Sequence, residues 1–356
     1  MKKLFALFLA LAMVLSLVAC GGAAAPAATE APAAAEAPAA EAPAAEEPVH
    51  LLDKPMTFKV ATTQASNGLW VKYMTAAYEE ITELTNGDLV FEIYPDSELG
   101  KNDDCVEQIL AGAPMILGCG FDTMTNFSDK LAVASSPYVF QDMSEVFTLV
   151  ETDWWDTTVA ELADSANLQI FAVGTLGYRH FISTFEINSA ADCAGHIMRM
   201  GPSGAAQGFI TVMNGTPTTS AWADNYSLLQ TGVIDSCEAP LSLLLSSSLG
   251  EVCDYLALSG HFVNPFSLTM NPMYWEQISA ADQAIVKETL AAACVEMADQ
   301  AMEMEAEFVQ AFKDQGVTVT EPDKASFGAV VPELFKLLEL EPSIYDDIRA
   351  AIEANS

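Results

Sequence analysis

Basic residues are scarce in this chain. Its 356 residues hold 14 Lys and Arg against 49 Asp and Glu, a formal net charge of -35. That balance repels nucleic acid and anionic lipid, so neither is an expected partner. It also opposes small anions at long range, although salt screens distant charges within about 10 Å and leaves donors inside a cleft free to act. Histidine is scarce too: His50, His180, His196 and His261 show no zinc-ligand spacing, so no metal is expected. No glycine-rich fingerprint follows a strand, and there is no phosphate-binding loop of the Walker type and no G-x-S-x-G elbow. Neither a cofactor nor a catalytic nucleophile is therefore expected, and Asp235 with Glu238 forms at most a carboxylate pair without visible partner chemistry. The cysteines beyond Cys20, at positions 105, 119, 193, 237, 253 and 294, form no C-x-x-C. Their irregular spacing reads as free thiols in the core, with disulfides as the alternative.

What is present begins with an export signal. Two lysines precede an apolar run that ends Leu17-Val18-Ala19-Cys20, which resembles a bacterial lipoprotein box with Cys20 as the lipidated first residue. Residues 21–50 are almost wholly Ala, Pro and Glu. Proline prevents a continuous helix there, and the segment reads as a solvated tether reaching about 80 to 90 Å when extended.

The folded region opens as strand, helix, strand, helix. Residues 57–62 alternate as a strand, and Trp70, Met74, Tyr78 and Ile81 share one face of a helix over 69–84. Leu89, Phe91 and Ile93 alternate again, a short helix runs to about Gly112, and residues 115–119 form a buried strand. This order predicts an α/β protein with a covered, largely parallel sheet. Residues 145–167 read as one helix containing Trp154 and Trp155, residues 168–173 and 197–200 as strands, 233–235 as a buried strand, and 280–315 as the longest helix. That helix starts at Ser279 with Asp282 and stops at Gly316.

Within this frame Arg179, in GTLGYRHFIST, and Arg199, in AGHIMRMGPS, are the only Lys or Arg residues between Lys130 and Lys287. Two lone guanidiniums at strand ends read as converging on a small anion, because the guanidinium fork matches a carboxylate. The alternative is an internal salt bridge from each to one of the many carboxylates.

The segments LTNGDLVFEIYPDSELG, ASSPYVFQDMSEV, GYRHFIST, AGHIMRM, NGTPTT, WADNYSLLQTGVIDSCEAP and LALSGH occur in an order that resembles the substrate-binding proteins of tripartite ATP-independent periplasmic (TRAP) transporters, dicarboxylate-binding type. The resemblance implies a two-lobe, periplasmic-binding-protein-like α/β fold with a long helix bridging the lobes. On this basis residues 51–177 with 262–300 make lobe I, and 178–261 with 301–356 make lobe II. It further implies that Arg199 pairs with the ligand carboxylate, that Arg179 is a second basic contact, and that Thr216 of the NGTPTT loop and Trp222 line the same region. Gln64, Trp70, Phe121 and Tyr138 would be walls from the first lobe. Where the family carries G-Q-E-N-P, this chain has Ser236 to Pro240, so Ala239 replaces an asparagine that contacts the bound acid and points to a less oxygenated or more apolar ligand. The expected partners are a small organic acid and the TRAP permease subunits, with a lipid anchor outside the cytoplasm. A receptor for a neutral or amino-acid-like solute is the alternative within binding proteins; a tethered hydrolase and an adhesion protein are the others.

Overall fold

The computed structural model describes residues 55–201 and 203–356. The export signal, Cys20 and the tether lie outside the described residues. Among the described residues nine strands form in chain order: β1 (Met56–Thr62), β2 (Leu89–Tyr94), β3 (Met115–Gly120), β4 (Gln169–Ser183), β5 (Ile197–Arg199), β6 (Thr216–Thr218), β7 (Ser236–Pro240), β8 (Tyr255–Met270) and β9 (Thr318–Thr320). The first helix covers Leu69–Leu84 and buries Trp70, Met74, Tyr78 and Ile81, the stripe expected from their spacing. It stops where Asn86 and Gly87 take positive φ, a conformation that glycine and asparagine tolerate best.

One sheet runs through both lobes in the order β2-β1-β3-β8-β4-β7-β5-β6, with β9 beside β8. The flanks are parallel, as the opening pattern predicts, since β1 pairs in parallel with β2 and β3, and β5 with β6 and β7. The centre is antiparallel, because β8 runs against both β3 and β4, and β4 against β7. The sheet is therefore mixed: among the described residues five strand pairs are parallel, β8 with β9 included, and three are antiparallel. The cause is the length of β4 and β8: each strand serves both lobes, pairing near Gln169–Thr175 with Pro265–Met270 in one and near Tyr178–Ser183 with Tyr255–Val263 in the other. Register shifts fall between Thr175 and Tyr178 and between Arg179 and Phe181, and Gly177 and Gly260 adopt positive φ there.

The long helix Ala280–Asp314 has 35 residues and spans about 52 Å at 1.5 Å per residue. Its first half buries Val286, Leu290, Cys294 and Met297 in the lobe I core, and its far end buries Phe312 in a lobe II core. The middle of the same stripe, at Ala301, Met304 and Phe308, faces the space between the lobes. Ser279 caps the helix by accepting from the Asp282 amide, as expected.

Several local expectations need correction. Residues 145–167 form two helices, Ser144–Val150 and Asp153–Ala166, because the Thr152 hydroxyl accepts from the Trp155 amide and starts a new helix. The strand expected at 233–235 begins only at Ser236, after the Gly232 turn. The NGTPTT segment, expected as a loop, contains the edge strand β6. The helix Pro342–Asn355, assigned to the second lobe from sequence, packs Ile348 and Ile352 into the core that also holds Phe121 and Trp155. All six cysteines in the described region are free and buried, as the core reading expects. No helix among the described residues is long and apolar enough to cross a membrane.

Candidate functional site

A cleft of about 650 Å³ opens where the long strands cross between the lobes. The loop 63–68 and the start of the first helix bring Gln64, Trp70 and Lys72 to it; β4 brings Arg179; the turn after β7 brings Ser242; the long helix brings Glu305. Of the residues singled out from sequence, Gln64, Trp70 and Arg179 line this space.

Arg179 does not stand free. Its Nε donates to Glu238 Oε2 at 2.5 Å and its Nη2 to Glu238 Oε1 at 2.8 Å, a two-pronged ion pair. Glu238 is 1% exposed. Burial alone would raise its pKa, but the Arg179 charge and His261 outweigh that and hold the carboxyl at about 2. His261 is fully buried, with Nε2 3.6 Å from Glu238 and Nδ1 2.8 Å from the Ser259 hydroxyl. Burial lowers its pKa to about 4 against the pull of Glu238, so the imidazole is neutral at pH 7. The internal salt bridge left open for each arginine is thus realised at Arg179. Asp235 makes no pair with Glu238 and binds instead the Ile197 amide at 2.8 Å.

Arg199 contrasts with this. It lies on β5 opposite Cys237 and is 9% exposed, yet its one hydrogen bond runs from Nη2 to the Ser220 carbonyl at 2.9 Å. Among the described residues its Nε has no partner and no carboxylate lies within 4.0 Å. Burial lowers its pKa, with Glu238 offsetting this in part. The guanidinium sits 5.3 Å from the Trp222 ring centroid, and Trp222 is fixed by its Nε1 donating to Ser247 Oγ at 2.9 Å. Ser220 also donates to Asn225 Oδ1 at 2.8 Å, and the buried Asn225 Nδ2 is left without an acceptor. Two buried donors, Arg199 Nε and Asn225 Nδ2, thus lack partners among the described residues, each on a side chain bonded to Ser220, and an anionic oxygen would suit either.

The sequence profile of the bacterial extracellular solute-binding proteins, family 7 (DctP), matches residues 60–339. The chain belongs to this family. It is a DctP-type extracellular solute-binding protein and not an enzyme. It is 25% identical over 275 residues to the sialic acid-binding periplasmic protein SiaP of Vibrio cholerae, covering 77% of this chain and 85% of that one. It is 23% identical over 288 residues to the C4-dicarboxylate-binding periplasmic protein DctP of Rhodobacter capsulatus, covering 78% and 85%. The fold is similar to an apo, open TRAP periplasmic solute-binding protein from Escherichia fergusonii, with a TM-score of 0.77 at 18% identity over 83% of this chain and 99% of that one.

Arg199 and Trp222 are not among the residues that line the 650 Å³ cleft, and the remaining positions in this DctP-type protein also fall away from it. Phe121 is buried and stacks on Trp155 at 5.6 Å. Tyr138 is tied to the second lobe, its hydroxyl donating to the Ser259 carbonyl at 2.9 Å and its ring 6.2 Å from Phe327. Thr216 is exposed on the edge strand β6, opposite Ile197 and not Arg199. Ala239 is fully buried with Cys237 and Leu241 in an apolar cluster, so the absent amide has no footing there as a guide to ligand polarity. Sequence reasoning missed Asn225, Lys72 and Glu305, along with the role of Glu238. Period-two alternation would have put Glu238 and Cys237 on opposite faces once β7 was placed.

Proposed function

We propose that this protein is an extracytoplasmic receptor that captures a small organic acid between its lobes and delivers it to a TRAP permease. The observation that carries the reading is Arg199, a guanidinium nine-tenths buried without a counter-ion. Burying a charge costs several kcal/mol unless it is paired, so about that much favours entry of an anion beside it. The ligand carboxylate would take the open Nε edge of Arg199, with Asn225 and Trp222 alongside and Arg179, already neutralised by Glu238, as a weaker second contact. The names of two similar proteins, which refer to sialic acid and to C4-dicarboxylates, both denote carboxylic acids and support the class.

In this reading the lobes divide near the register shifts of β4 and β8, and closure about them expels water from the cleft. Binding energy spent on the closed state then presents a changed surface to the permease. The lipid anchor at Cys20 and the tether 21–50 would hold the receptor at the membrane face. Mass spectrometry of the N-terminal peptide checks the anchor: an unmodified or absent Cys20 removes it.

A thermal-shift screen of the full chain tests the ligand class, using monocarboxylates, dicarboxylates, keto acids, sugar acids and amino acids. Stabilisation by at least one acid, lost in Arg199→Ala, is expected. No shift with any acid, together with one from a neutral solute, overturns the reading.

A further inference from the structure

Glu305 projects from the middle of the long helix into the cleft, with its side chain 21% exposed. Its Oε1 lies 2.7 Å from His180 Nε2. The other ring nitrogen of His180, Nδ1, accepts from the Gly260 backbone N–H at 3.1 Å. An imidazole whose Nδ1 accepts carries its proton on Nε2, so His180 donates to Glu305 as the neutral tautomer and brings no positive charge. Among the described residues no Lys or Arg nitrogen lies within 4.0 Å of Glu305. Glu238 and Glu145, by contrast, are met by Arg179 and Arg349. Glu305 is thus an oriented carboxylate, largely buried, that faces the ligand space without a cation.

We propose that Glu305, held in place by His180, determines specificity by receiving an ammonium group of the ligand, so that the preferred solutes are acids that also carry a separated amine. The inference rests on the carboxylate reading above, with the acid end on the arginines and the amine on the long-helix wall. Closure around such a ligand removes water from Glu305 and supplies the missing charge together. A purely anionic ligand would leave Glu305 desolvated and unpaired, which is the costly case for a buried ion. The net charge of -35 points the same way, since a zwitterion is not repelled at long range as an anion is. The one lysine lining the cleft, Lys72, is exposed on the first lobe. If it closed onto Glu305 the ligand would not need an amine, and the experiment separates that outcome.

Calorimetry on the full chain would compare acids paired by chain length: 4-aminobutyrate, 5-aminopentanoate and 6-aminohexanoate against butyrate, pentanoate and hexanoate, with each further acid from the screen set beside its amino derivative. At the length that spans the cleft, the amino acid should bind about ten- to a hundredfold tighter than its partner. Glu305→Gln, which keeps an acceptor for His180, should erase that advantage by weakening the amino acid and tightening the amine-free acid, which then desolvates no unpaired carboxylate. If the variant does not fold, the paired comparison on the wild-type protein decides alone. Acids that bind with no gain from an amine at any length overturn this inference and leave the carboxylate reading standing, and the same holds if the gain survives Glu305→Gln. Failure of every acid in the wider screen overturns both.

Discussion

Replacing Arg199 with alanine separates a ligand anchor from a structural ion pair, because the two make opposite demands on the empty protein. In the unliganded protein Arg199 contributes a charged hydrogen bond to the Ser220 carbonyl and a cation–π contact with Trp222. Those contacts are worth about 1.5 to 3 and about 0.5 to 2 kcal/mol. Against them stands the desolvation of a buried charge with no counter-ion, several kcal/mol in effect, on the order of the two gains together. The terms offset, and unfolding of the unliganded variant in urea should lie within about 2 kcal/mol of the wild type. Ligand binding behaves otherwise. A carboxylate buried without its principal partner loses about 2 to 5 kcal/mol, which is about 30- to 4,000-fold in Kd by calorimetry. Two results refute the reasoning: equal affinities for the ligand in both proteins, or an unliganded Arg199→Ala destabilised as severely as a broken buried pair. The scale for the latter comes from Glu238→Ala, which strips the partner from Arg179 and should cost about 3 to 5 kcal/mol.

Three further outcomes follow from the same geometry. The buried neighbours His261 and Glu238 make the fold acid-sensitive: His261 has a folded pKa of about 4 against 6.5, and Glu238 about 2 against 4.5. Since the unfolded chain binds more protons in both windows, stability should fall as pH drops from 6.5 to 4 and again toward 2, by about 3 kcal/mol in each window; a denaturation midpoint flat between pH 7 and pH 3 refutes this. Burial pushes the thiols of Cys119, Cys193, Cys253 and Cys294 up to about 12, so a thiol reagent should label none of them in the native protein and all of them in denaturant without reductant. Resistance after denaturation would reveal disulfides. A methyl group at Gly118 would meet the Trp70 ring at 2.2 Å. Gly118→Ala should therefore destabilise by about 1 to 3 kcal/mol and disturb the cleft wall at Trp70, and an unchanged melting temperature would show that the ring moves freely.

Much of the fold was legible because its signals are local. The helix Leu69–Leu84 and its stop were written in a 3.6-residue stripe followed by Asn86 and Gly87, and the 35-residue helix in its Ser279 cap and apolar line. The break at Thr152 was hidden because a capping threonine inside an apolar stretch looks like a continuing helix. The antiparallel centre was also hidden, since it depends on two strands far apart in sequence finding each other, with Ser183 opposite Tyr255 and Gln169 opposite Met270. Motif order pointed to both arginines, but only their neighbours distinguish them.

The sequence by itself determined the acidic balance, the α/β class, the long helix and the scarcity of basic residues in the middle of the chain. Each follows from composition or from periodicity within one element. The tertiary structure decided which arginine is free. Glu238 reaches Arg179 because β4 and β7 are paired with Arg179 opposite Pro240, and Arg199 on β5 is left with a carbonyl and an aromatic face. It also turned Ala239 into the apolar core and brought Glu305 to the cleft. Such choices rest on strand pairing and side-chain facing across long sequence separations, where one residue of register reverses what a side chain meets.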